Sequence, residues 1–126
     1  TLFFCYESCE KEKRRSVIEL MMNFKEFLEL NPTEVVVFFF DLTHYIDQPV
    51  IFNDFYFQLR QIKDFTSMIY THDAPTSPWP TLRQLTDPTY NKRMIMFHYN
   101  GPVCDDDPLR CVSQIHYYYD YVMDNN

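Results

Sequence analysis

The chain has 126 residues, 46% hydrophobic and 18% aromatic, and a formal net charge of -7. That length fits one domain with a modest core, and the aromatic share excludes a disordered or fibrous chain. The acidic balance argues against nucleic acid or an anionic membrane held by charge alone, and 1 glycine leaves no phosphate-cradling or nucleophile-elbow loop.

Thr1 to Tyr6 reads as a short apolar strand. It begins at the first residue with neither an initiator Met nor a signal-type leader, so either a leader has been removed or, as the better reading, the strand is cut from a longer chain whose remainder lies upstream. Glu7 to Arg15 is a polar connection, and Ser16 with Glu19 forms an S-x-x-E capping box. Val17, Leu20, Met21, Phe24, Phe27 and Leu28 recur at helical spacing and stop before Asn31-Pro32. Val35 to Phe40 is an unbroken apolar run rich in strand formers, which predicts a parallel strand with all six side chains buried on two covered faces. Phe52, Phe55, Leu59 and Ile62 mark a second helix, and Ser67 to Tyr70 a brief strand. Pro75, Pro78 and Pro80 make the next stretch a loop, after which Thr81 can cap a short helix over Leu82 to Leu85. Arg93 to Tyr99 is another apolar strand. Leu109, Val112, Ile115, Tyr119 and Val122 suggest a last helix, with a strand over Tyr117 to Tyr119 as the alternative.

The order β-α-β-α-β-α-β-α implies right-handed βαβ units on a parallel sheet. Four such units are half of a TIM-type (β/α)8 barrel, and residues 1–126 form one such partial domain. No apolar run is long enough to cross a bilayer.

Four cysteines form two close pairs, Cys5 with Cys9 and Cys104 with Cys111. Three connectivities exist for four cysteines, and the sequence does not choose among them. Local disulfides Cys5–Cys9 and Cys104–Cys111 are the favoured arrangement. Zinc is a poorer fit, since neither spacing matches a CxxC knuckle and no His lies close by. Buried free thiols are the third reading. Disulfides imply the secretory pathway or the extracellular space.

Four segments then carry a resemblance. Asn31-Pro32-Thr33-Glu34 with the apolar run to Asp41 resembles the NP-x-E-hydrophobic-acidic signature of phosphatidylinositol-specific phospholipase C X-domain proteins. Trp79-Pro80-Thr81-Leu82 is similar to that family's WPTL loop, and Lys92-Arg93-Met94-Ile95-Met96-Phe97 to its next strand. Phe4-Cys5-Tyr6-Glu7-Ser8-Cys9 stands where the family has a strand end containing a histidine. The resemblance covers residues 2 to about 100 in the right order, and it implies a TIM-type barrel with its centre at the C-terminal strand ends.

The family cleaves a phosphodiester by attack of the inositol hydroxyl, with one histidine as general base and a second as general acid. The resemblance puts Tyr6 at the position of the acid, and a phenol with an ordinary pKa near 10 is a poor proton shuttle at neutral pH. The base falls upstream of residue 1. Asp41 takes the place of a family Glu that helps hold calcium or arrange the site. One carboxylate is not a calcium site, and a helix cap or solvated strand end is the plainer reading of Asp41. Calcium is thus the only cofactor the resemblance suggests, and Asp41 its only weak ligand here.

His44 lies on the same rim as Asp41, and His98 ends the later strand near the family's substrate-binding positions. Both are candidate proton carriers, beside a plainer reading of all four histidines, with His72 and His116, as surface or capping residues. Tyr117, Tyr118, Tyr119 and Tyr121 read as a half-buried helix face or as a lipid or partner patch. Asp105-Asp106-Asp107 reads as a solvated loop rather than an ion site.

The sequence therefore points to a catalytically inactive X-domain-like chain acting as an extracellular structural or interaction domain. Its expected partners are other chains of an assembly, the missing half of the barrel, or a phospholipid head group. A working phosphodiesterase with its first half upstream, and an unrelated small secreted α/β domain, are the alternatives.

Overall fold

A computed structural model describes residues 3–5, 14–41, 48–99 and 114–121 of the chain. Helix α1 spans Val17–Leu30 and buries Val17, Met21 and Leu28, the positions that the helical spacing lines up. It ends where Pro32 forbids continuation, and the Asn31 side chain donates to the Phe27 carbonyl at 2.8 Å. Its start differs from expectation. Ser16 makes no side-chain cap hydrogen bond, because it closes strand β2 (Arg14–Ser16), paired antiparallel with β1 (Phe3–Cys5) through Phe3. The first strand was expected in the parallel sheet; instead it is half of this separate two-stranded ribbon. The polar Arg14-Arg15-Ser16 stretch carries no apolar alternation that would announce a strand.

The main sheet is parallel, in the order β3 (Val36–Phe40), β4 (Met94–His98), β5 (Ile115–Tyr117). Val36 pairs with Met94 and so on to Phe40 with His98, while Met96 to His98 pair with Ile115 to Tyr117. The crossover from β3 to β4 contains α2 (Gln48–Arg60), a 3-10 turn at Thr66–Met68 and α3 (Leu82–Leu85). The run 67–70 does not intervene as a strand between β3 and β4. The Val36 amide donates to the Arg93 carbonyl and the Tyr70 amide to the Met94 carbonyl. Consecutive carbonyls point to opposite edges, so Ile69, bridged to Met94, lies on the edge away from β3.

Residues paired in register share a face. On one face Phe38, Met94, Met96 and Ile115 join Met21, Leu28, Phe55 and Leu59 of α1 and α2 in the larger core cluster. On the other, Ile95 and Phe97 pack with Tyr70, Leu85, Tyr118 and Tyr121. All of β4 is buried, but β3 is not. Val37 is 43% and Phe39 50% exposed, and Val35, Val36 and Phe40 are half-buried, so the expectation of six buried side chains fails. Helices cover one face of β3, whereas the covering segment of the other face is centred on β4 and β5.

The last expected helix also differs. Residues Ile115–Tyr117 form a strand and only Tyr118–Tyr121 a helix (α4). Pairing with β4 overrides the helical spacing.

Two motif segments are tied by one side chain. Arg93 is 5% exposed and donates from Nε to Asn91 Oδ1 at 2.7 Å, and from its terminal nitrogen to the Asn31 carbonyl at 2.9 Å and the Glu34 carbonyl at 3.3 Å. The turn leaving α1 is thereby fixed to the start of β4. Its three acceptors also satisfy a guanidinium that would otherwise be costly to bury.

Candidate functional site

Histidine and aromatic side chains converge on the face of β4 and β5 opposite α1 and α2. His72 follows the Ile69–Tyr70 strip, His116 is the middle residue of β5, and Trp79 belongs to the proline-rich loop. His72 and His116 are 4% and 3% exposed. Their expected place on the surface or at a cap is therefore incorrect: both are core residues.

The partners fix the ring tautomers. The His72 backbone amide, which can only donate, lies 3.0 Å from His116 Nε2. Nε2 of His116 is thus an acceptor, and its Nδ1 carries the proton donated to the Met96 carbonyl at 3.0 Å. His72 Nε2 lies 2.9 Å from the Ser77 carbonyl and donates to it. His72 Nδ1 then accepts from the Tyr70 hydroxyl at 2.8 Å. Every ring nitrogen of the pair is engaged by a group of this chain. Burial pushes the His116 pKa down, the Met96 carbonyl opposes this, and His72 adds to the lowering. Burial pushes the Tyr70 pKa up, as do Tyr90 and Asp73. Both shifts favour the neutral forms of His116 and Tyr70.

Trp79 closes the arrangement. Its ring stacks on His72 with centroids 3.9 Å apart and planes 4° from parallel, and it meets Tyr70, Phe97, His116 and Tyr121 at its other edges. The following Thr81 accepts from the Gln84 amide at 3.2 Å, and Gln84 Oε1 accepts from the Thr81 amide at 2.8 Å, a complete capping box for α3. The tryptophan–proline–threonine–leucine loop is thus locked at one end by a ring stack and at the other by a cap.

The sequence-derived candidates fare differently. His98 ends β4 and pairs with Phe40, whose ring packs on Phe55 of α2 at 5.0 Å, so it belongs to the helix-covered face. It is 4% exposed, and burial, with a smaller effect of His116, pushes its pKa down to about 4. It is buried where a substrate-facing residue was expected. Asp41 follows Phe40 at the end of β3 and is exposed. Among the described residues no three His, Cys, Asp or Glu side chains converge to hold a metal, and one exposed carboxylate does not fit a calcium cage. Tyr6, His44, Cys9, Cys104, Cys111 and Asp105 to Asp107 lie outside the described residues, while Cys5 is placed by its backbone in β1.

Chemically, the assembled cluster is a hydrogen-bond lock. Its imidazoles lack a free lone pair with which to take a proton from a substrate. The contact between His72 and His116 spans |i−j| of 44, and no local spacing announces it. The one available signal is that His116 sits between Ile115 and Tyr117 in a run of strand formers.

The family model described as PI-PLC X 1 matches residues 1–126. No curated protein and no solved structure matches the chain.

Proposed function

The chain belongs to the PI-PLC X domain family, and from this premise we propose that it is a binding or scaffolding member that does not cleave phosphodiesters. The observation that carries this reading is the state of the histidines. Both ring nitrogens of His72 and His116 are engaged inside the fold, and His98 is buried on the helix-covered face. General acid–base catalysis contributes about 10²–10⁴-fold and needs a group within reach of the transferred proton. Tyr6, at the family's acid position, adds a phenol where the chemistry calls for an imidazole.

The same reading covers the architecture and the compartment. Parallel pairing of β3, β4 and β5, with α1 and α2 packed along one face, suits part of a (β/α)8 barrel. The exposed Val37 and Phe39 would then meet further strands of that barrel. Pairing of Cys5 with Cys9 and of Cys104 with Cys111 suits a secreted chain; digestion without reductant should return two local disulfide peptides, and a Cys5–Cys104 peptide or four free thiols would remove this part.

Activity is tested with the purified chain on phosphatidylinositol and on a soluble inositol phosphodiester, with and without calcium. No turnover is expected, and Tyr6→His should not restore it. Turnover that disappears in Tyr6→Phe would overturn the reading, because the phenol would then be carrying the proton.

A further inference from the structure

Beside the tryptophan stack lies a groove of ≈ 670 Å³ whose walls include Tyr70, Trp79 and Tyr90 together with Arg83, Gln84 and Asp87. Trp79 remains 36% and Tyr90 45% exposed, so two aromatic rings are offered to whatever enters. Asp87 Oδ1 accepts from the amides of Thr89 and Tyr90 at 2.9 and 3.1 Å, which fixes this carboxylate on the groove wall at the backbone of Tyr90. Gln84 is held in the α3 capping box. Arg83 differs from both: among the described residues no hydrogen bond or ion pair engages its guanidinium. The well-partnered Arg93 shows how this fold treats an arginine that serves structure.

These groups select a ligand by elimination. A purely apolar guest would leave a carboxylate and a guanidinium unused at its contact. A simple anion would suit Arg83 but meet Asp87, and a simple cation the reverse. A zwitterion satisfies both ends. Aromatic faces with a nearby carboxylate favour a quaternary ammonium, whose attraction to ring faces is worth about 0.5–2 kcal/mol. A guanidinium favours a phosphate, which it can grip through two parallel hydrogen bonds. We propose that this groove binds a phosphocholine-type zwitterion, its ammonium against Trp79, Tyr90 and Asp87 and its phosphate on Arg83. The inference deepens the binding-domain reading above by naming the ligand chemistry.

The chain contains Trp 1 in its composition, so intrinsic tryptophan fluorescence reports on this groove alone. Titration of the whole chain with phosphocholine should give a saturable change in Trp79 emission. Arg83→Gln removes a side chain with no described partner and should weaken binding by roughly tenfold or more, the loss of one charge-assisted contact. Tyr90→Leu should weaken it by roughly threefold. Choline alone and inorganic phosphate alone should each bind more weakly than the joined ligand.

Sedimentation with phosphatidylcholine vesicles, compared with phosphatidylglycerol vesicles, identifies the source. Binding to the first only makes a membrane head group the natural ligand, and binding of free phosphocholine without vesicle binding makes it a soluble ester. Three results would overturn the inference: no saturable change up to roughly 10 mM phosphocholine, equal binding by Arg83→Gln, or equal binding of inositol phosphate. Turnover in the phosphodiesterase assay would remove the inactive reading without touching the groove. A failed titration would remove the groove and leave inactivity standing.

Discussion

Strands β3 and β4 pair residue for residue from Val36 with Met94 to Phe40 with His98, yet they live in different surroundings. Every residue of β4 is buried, His98 included, while Val37 and Phe39 of β3 are exposed. Local composition points the other way, because Val-Val-Phe-Phe-Phe is at least as apolar as Met-Ile-Met-Phe-His. Position decides. β4 is central, with β3 on one edge and both Ile69 and β5 on the other, and the stack of Tyr70, Trp79 and Leu85 covers its second face. On β3, α1 and α2 cover one face, whereas on the other Phe39 meets the rings of Phe97, Tyr99 and Tyr118 and stays half exposed. An apolar run thus states that a strand should be covered, and the rest of the chain determines whether it is.

Adjacent residues of β3 give the sharpest break. Phe38 is 8% exposed and packs edge-on against Phe24 of α1 with ring centroids 4.9 Å apart. Phe38→Ala should cost about 3–5 kcal/mol in urea unfolding. Phe39→Ala should cost about 1 kcal/mol, since its half-exposed ring loses its contacts with Phe97, Tyr99 and Tyr118 and little burial. Equal losses would mean that the second face of β3 is covered after all.

On the β4–β5 side the histidine lock should matter next. His116→Phe keeps a ring but strands the His72 amide and the Met96 carbonyl, and should cost about 1–3 kcal/mol. It should also shift Trp79 emission, because the loop that carries Trp79 loses a tether. Unchanged stability and emission would show that the lock does not hold the loop.

A pH series probes the same burial through His98. Its folded pKa is pushed down to about 4, below the ordinary 6.5 of the unfolded chain, so the unfolded state binds the proton first. The contribution of His98 is therefore complete above about pH 6.5 and is lost as pH falls towards 4, and the lowered His116 acts in the same direction. Allowing for solvent screening at a strand end, the loss should be on the order of 1–2 kcal/mol. His98→Phe should flatten that part of the profile, and a profile identical to that of the parent chain would place His98 in solvent.

The two capping signatures offer the smallest test. Thr81→Ala should cost about 1 kcal/mol because its box is formed, whereas Ser16→Ala should be near neutral because its side chain caps nothing. The reverse order would put the start of α1 back at a capping box.

These pairs also show what the sequence makes legible. The span of α1, the strand cores at Val36–Phe40 and Met94–His98, and the Thr81 cap follow from local rules that act within a few residues. The antiparallel β1–β2 ribbon, the conversion of the expected last helix into β5, and the burial of His72 and His116 do not. Each depends on a partner far along the chain, and a polar ring in a β-run looks the same whether its nitrogens meet water or a backbone amide. The resemblance of Asn31 to Asp41, Trp79 to Leu82 and Lys92 to Phe97 identified the family. Arg93 supplies one physical reason for that wording, since it binds the carbonyls of Asn31 and Glu34.

The commitment of the histidines to structure is tested most directly by the imidazole nitrogen signals of the whole chain labelled with 15N-histidine. His116 should show a protonated Nδ1 and a bare Nε2, and His72 the opposite tautomer, as their partners require. The His116 signals should hold as pH is lowered through about 6.5, the value for an unperturbed imidazole. Imidazoles at 72 and 116 that exchange tautomers, with His116 titrating near 6.5, would contradict the lock and make both residues available as proton carriers.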